Sequence, residues 1–176
     1  ILAHGHAMVF GFVGLFILGF AFQAFPRFKH TSLTRPRAAI IALPLMLAGI
    51  LLQTAGHLTA PRGAYLLLGL IAGLLQVAAV ALSGWVLART FRVARKPEPY
   101  DAFVLSAWIW LLAAAVLNPF IFWLFEAAPT REQFLWRVAS FNIPYRDIQL
   151  LGTAAIMILG VSLHFLPHAY GLHEPS

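Results

Sequence analysis

Five apolar runs, each long enough to cross a bilayer, follow one another through this 176-residue sequence, at about 3–25, 38–59, 64–88, 102–124 and 148–166. About 20 apolar residues wound as a helix cover the roughly 30 Å hydrocarbon core of a membrane. Backbone groups in lipid must pair within their own segment, and no period-two alternation supports a barrel, so the runs are read as helices. Charge content agrees: 10% of residues are charged, against about 25% in a soluble domain. A soluble enzyme and a nucleic-acid-binding domain are excluded, because the net charge of +6 sits in short clusters between the runs and not along a basic face. The expected fold is an all-α polytopic membrane protein: one domain over 1–176, a bundle of about five transmembrane helices, with a short interfacial helix between spans four and five. Its surroundings are the lipid bilayer and other membrane helices or subunits, with no nucleic acid. The sequence opens Ile-Leu-Ala-His and its first run starts at once, so the chain is expected to be part of a longer protein.

Charge bias sets an orientation. Arg27, Lys29, Arg35 and Arg37 follow the first run without an acid, and Arg89, Arg92, Arg95 and Lys96 follow the third against Glu98 and Asp101. Elsewhere Arg62 stands alone, and Arg131, Arg137 and Arg146 are balanced by Glu126, Glu132 and Asp147. The positive-inside rule puts the two basic loops in the cytoplasm. The expected placement is therefore the inner (cytoplasmic) membrane, with the N-terminus periplasmic or outside and the tail cytoplasmic. Thr130-Arg131-Glu132-Gln133 reads as a capping box opening the interfacial helix, with Phe134, Leu135, Val138 and Phe141 toward lipid and Trp136 at headgroup level.

The sequence has no cysteine but seven histidines, so thiolate zinc sites, iron–sulfur clusters and thioether-linked haem are removed. Ionisable groups inside membrane helices are costly and mark functional sites. In His4-Gly5-His6-Ala7-Met8, a regular helix puts His4 and Met8 on one face and turns His6 about 200° away. Gly49, Gln53 and His57, spaced by four, form a polar stripe on the second span. His4 and His57 then lie near one surface on antiparallel neighbours, an arrangement suited to bis-histidine ligation of haem b. Arg62 and Arg146 would pair with its propionates. His164 and His168 have a metal-ligand spacing at the other surface, with Pro167 expected to break the helix so that His168 leaves it. His30 and His173 are read as solvated. Gly69 and Gly73, continued by Gln76, form a small-residue face that packs another helix. Asn118-Pro119 should kink the fourth span and free carbonyls there.

Spans one and five overlay as a parallel repeat. Gly11, Gly19 and Pro26 match Gly152, Gly160 and Pro167 at identical spacing.

His4-Gly5-His6-Ala7-Met8-Val9-Phe10-Gly11-Phe12, with Ile156-Met157-Ile158-Leu159-Gly160-Val161-Ser162 running into Phe165-Leu166-Pro167, resembles the NnrS family. The first of these segments also looks like the haem-binding second helix of haem–copper oxidase subunit I. The resemblance implies a haem- and copper-containing membrane protein linked to nitric oxide and nitrite metabolism, with His4 as a haem iron ligand and His6 as a second metal-site or haem-pocket residue. With five spans and no His-His pair, the chain departs from an oxidase catalytic subunit and from the histidine set of its binuclear centre. Three functions stay open. The first is a haem b protein of nitric oxide or respiratory electron-transfer metabolism, its site drawn from His4, His57, His6, Met8 and Arg62. The second is a copper-handling or permease-like module using His4, His6 and His57, with Gln53, Gln76 and Asn118 lining a path. The third is a cofactor-free packing subunit.

Overall fold

A computed structural model of the chain describes residues 2–59, 65–94 and 96–171. Arg62, Arg95 and His173 lie outside the described residues. Five long helices carry the fold: α1 (Leu2–Phe28), α2 (Pro36–Thr59), α3 (Tyr65–Ala94), α4 (Pro99–Glu126) and α5 (Arg131–Ala169). Each is long and apolar enough to cross a membrane, and no strand occurs among the described residues. The chain is a multi-pass membrane protein.

The helices pack in chain order, α2 on α3, α3 on α4 and α4 on α5, with α1 against α2 and α3. Small residues set the distances. A Cβ on Gly69 would enter the ring of Phe122, and one on Gly73 would lie 2.7 Å from Pro119 Cβ, so the small-residue face of α3 is the seat of α4. Gly49 does the same for α2, where a Cβ would lie 2.9 Å from the Ala72 carbonyl oxygen. Aliphatic and aromatic side chains such as Leu18, Phe25, Met46 and Val80 are fully buried between the helices. Phe12, Ile40, Leu58 and Ile109 stand exposed around the outside, as expected where the solvent is lipid.

Three local features depart from the sequence reading. The interfacial segment forms a helix, N-capped by Thr130 accepting from the Gln133 N–H at 3.2 Å, but it runs without a break into span five as α5. Pro167 does not release His168, which stays inside the helical stretch Ile156–Ala169. The third departure is a wider winding. Ala7–Gly14 of α1 and Ile148–Ala155 of α5 are π-helical, each followed by fourteen residues of α-helix, Leu15–Phe28 and Ile156–Ala169. The two patterns coincide at the offset that overlays Gly11 on Gly152, so the repeat extends from residue type to backbone winding.

Candidate functional site

A buried polar cluster occupies the half of the bundle nearer Glu126. Gln53 of α2 and Asn118 of α4 pair reciprocally: Gln53 Nε2 donates to Asn118 Oδ1 at 3.0 Å, and Asn118 Nδ2 donates to Gln53 Oε1. Gln76 of α3 donates to Gln53 Oε1 at 3.1 Å and accepts from Asn118 Nδ2 at 2.9 Å. The Tyr145 hydroxyl of α5 lies 3.1 Å from Asn118 Oδ1 and 3.2 Å from the Ala114 carbonyl. The stripe expected on span two is therefore real, and it meets polar groups of α3 and α4, with Tyr145 of α5 joining through Asn118. Inside a membrane each of these amides needs such partners, since no water competes for them.

His6 joins this cluster and His4 does not. His6 is buried, its ring stacks on Phe10 at 5.0 Å, and its Nε2 lies 3.1 Å from Gln76 Nε2. The amide is the donor, so Nε2 accepts and the ring proton falls on Nδ1. His4 and Met8 share the exposed outer face of α1.

His57 sits one turn beyond Gln53. Its Nδ1 lies 2.6 Å from Glu126 Oε1, and its ring centroid is 4.8 Å from that of Phe122. The Glu126 carboxylate accepts from the ring at Nδ1, and in a neutral ring so oriented Nε2 is the nitrogen left to bind a metal. His57, Gln53, Asn118, Tyr145 and Arg146 line a cleft of about 20 Å³. That is room for one water or one ion and not for a porphyrin, and His4 does not line it. Arg146, expected near a propionate, donates from Nη1 to the Gly5 carbonyl at 3.0 Å and to Gln149 Oε1 at 3.0 Å, tying α5 to the start of α1.

A second polar group lies at the opposite end. The buried Lys29 ammonium meets Asp101 Oδ2 at 2.7 Å and the Lys96 carbonyl at 2.8 Å, with the Tyr100 ring 4.9 Å away. His164 packs between Phe28 at 4.2 Å and Tyr100 at 5.0 Å, and the His168 ring lies 4.8 Å from it. A cavity of about 260 Å³ opens beside His30, His164 and His168. Among the described residues, no three histidine or carboxylate side chains are placed to hold one metal ion.

Sequence reasoning missed Glu126, Tyr145 and the Lys29–Asp101 pair. The signal for Glu126 was present, because it closes the fourth apolar run at the end of the membrane where His57 closes the second. Tyr145 lay in a segment assigned to the interface and gave no such hint.

Five apolar helices around a buried amide cluster define a polytopic helical membrane protein. The family model for the NnrS protein matches residues 1–162 of the 176, and the chain belongs to the NnrS family. No curated protein and no solved structure matches the chain.

Proposed function

We propose that this chain is the metal-binding membrane module of an NnrS-type protein, holding haem b through His4 and acting in nitric oxide or respiratory electron-transfer metabolism. The observation that carries this reading is the outward face of α1, where His4 and Met8 are exposed one turn apart above Phe12. An imidazole over an apolar, aromatic strip offers one axial ligand and a flat wall to a porphyrin. The second axial ligand then comes from outside the described residues, because His57 is enclosed by Glu126 and Phe122. Haem would supply a one-electron couple, and the burial of its face against α1 would tune its potential.

Copper at His57 is the second reading, and the Glu126 contact favours it. The carboxylate–histidine arrangement is the usual support of a metal-bound imidazole, and the adjoining cleft suits an ion. In this reading the protein lies in the inner membrane, and the basic loops at the other end support an outward placement of the His57 end.

The purified protein's absorption spectrum and metal content test both. Haem at His4 requires a Soret band that His4→Ala loses and His30→Ala keeps. Copper at His57 requires stoichiometric metal that His57→Ala loses. Protein free of both metals after expression with haem and copper supplied would overturn the proposal.

A further inference from the structure

At the end of the bundle away from His57, the end of α1, the approach to α4 and the last turns of α5 surround the cavity of about 260 Å³. Its wall carries Lys29, His30, Lys96, Glu98, His164 and His168. The carboxylates at this end already have partners. Asp101, which is not on the wall, takes the Lys29 ammonium at 2.7 Å and the Glu98 N–H at 3.0 Å, both on Oδ2. Glu98 accepts from the Asp101 N–H in the capping box of α4, and its Oε1 lies 3.3 Å from Lys96 Nζ. Lys96 is not enclosed by that pair, since its side chain is 78% exposed. Arg27, Arg35, Arg37 and Arg92 stand exposed at the same end, with no further acid there among the described residues. The cavity therefore opens into a positive field.

His30 marks the same wall by its backbone. It follows α1 at φ 47. Its N–H donates to the Arg27 carbonyl at 3.0 Å, and the Thr31 N–H donates to the Pro26 carbonyl at 2.9 Å, which closes a Schellman cap. Glycine is the usual residue at that position, because a Cβ in the left-handed region crowds the backbone. A histidine costs stability there that glycine would not, and what it adds is an imidazole on the cavity wall. Backbone strain of this kind gathers where a ligand is held.

We propose that this cavity is an anion site that takes a phosphate group, carried by an anionic lipid headgroup or free in solution. Phosphate oxygens accept hydrogen bonds, and lysine and histidine supply the donors on this wall. A cation fits poorly, because Glu98 is the only carboxylate on the wall and it already serves Lys96 and the cap. Phe165 and Leu166 stand exposed beside the histidines of α5, which sets the cavity at the rim of the apolar surface, within reach of a headgroup from the bilayer. Basic pockets between helices at this level hold anionic headgroups in other membrane proteins. The site lies at the opposite end from His4 and His57, so it stands apart from any cofactor there.

Two binding measurements on the full protein test the site. In the first, the protein is held in phosphatidylcholine nanodiscs doped with phosphatidylglycerol, and native mass spectrometry counts the phosphatidylglycerol it retains. In the second, inorganic phosphate is titrated calorimetrically into the protein in neutral detergent. One retained phosphatidylglycerol assigns the site to a headgroup, and a saturable phosphate isotherm assigns it to the free anion. Lys96→Met should weaken whichever ligand binds about tenfold. Arg92→Met, which removes an exposed cation off the cavity wall, should not. His30→Gly separates binding from folding: the thermal midpoint should rise by about 2–4 °C as the strain is relieved, while binding weakens. No binding in either arm, an equal loss in Arg92→Met, or unchanged binding in His30→Gly would overturn the proposal.

Discussion

Gln53 and Asn118 exchange two amide hydrogen bonds across the bundle, from helices 65 residues apart in sequence. Around that pair, each further contact satisfies a group that lipid cannot. Asn118 holds the centre, because its carbonyl also accepts from Tyr145 and its amide also serves Gln76. Asn118→Leu should therefore destabilise the protein by about 2 kcal/mol, several times the ~0.6 kcal/mol typical of a single side-chain hydrogen bond within a membrane. Unfolding titration in mixed micelles measures it, and a loss no larger than that of Thr54→Val would show that the cluster is not cooperative.

Lys29 is buried with one carboxylate beside it. Removing that carboxylate leaves an enclosed positive charge, which costs about 3–5 kcal/mol. Asp101→Asn should thus be more damaging than Lys29→Met, and the double variant should recover most of the difference. Thermal unfolding of the three proteins decides, and equal Tm values for both single variants would contradict the pairing.

Glu126 bears on metal binding without being a ligand. If His57 binds copper through Nε2, Glu126→Gln should weaken affinity about 10- to 100-fold, as loss of an outer carboxylate does elsewhere. Competition against a chelator reads this directly. Unchanged affinity would place the copper away from His57.

Orientation is open to a simple check. Reporter fusions at Lys29 and Lys96 should report the cytoplasmic side, and one at Ala128 the opposite side, because the unbalanced basic residues cluster at the first two positions. Agreement between Lys29 and Ala128 would break the five-span arrangement.

Gly69 gives a packing test. Its missing Cβ is where the Phe122 ring sits, so Gly69→Ala should cost about 1–3 kcal/mol through overpacking, and Gly69→Ala with Phe122→Leu much less. Stability in detergent of the single and double variants provides the comparison.

The five spans were legible because lipid makes a simple demand on composition over twenty residues. The face of α3 around Gly69 and Gly73 was legible for a similar reason, as was the stripe through Gln53. The direction of the histidines was not. A regular winding assigns His4 and His6 to opposite faces but cannot say which of them points inward, and only the packing of α1 on its neighbours decides that. The partners of His57 and Lys29 are about 70 residues away, and no local pattern links them. Tyr145 was hidden because its helix, polar at the start, continues unbroken into an apolar one.

The wide winding at Ala7–Gly14 also acts as an angular setting for the N-terminal turn. Each residue of an α-helix advances the chain about 100° around the axis, and a π segment holds the surplus that separates one phasing from another. Deleting a single residue between Ala7 and Gly14 would remove that surplus and let the stretch relax to ordinary pitch while Leu18 and Phe25 stay anchored, with His6 keeping its angular position toward Gln76. Ordinary pitch with all eight residues retained would instead turn His6 roughly 100° away, with no side chain of the buried cluster altered.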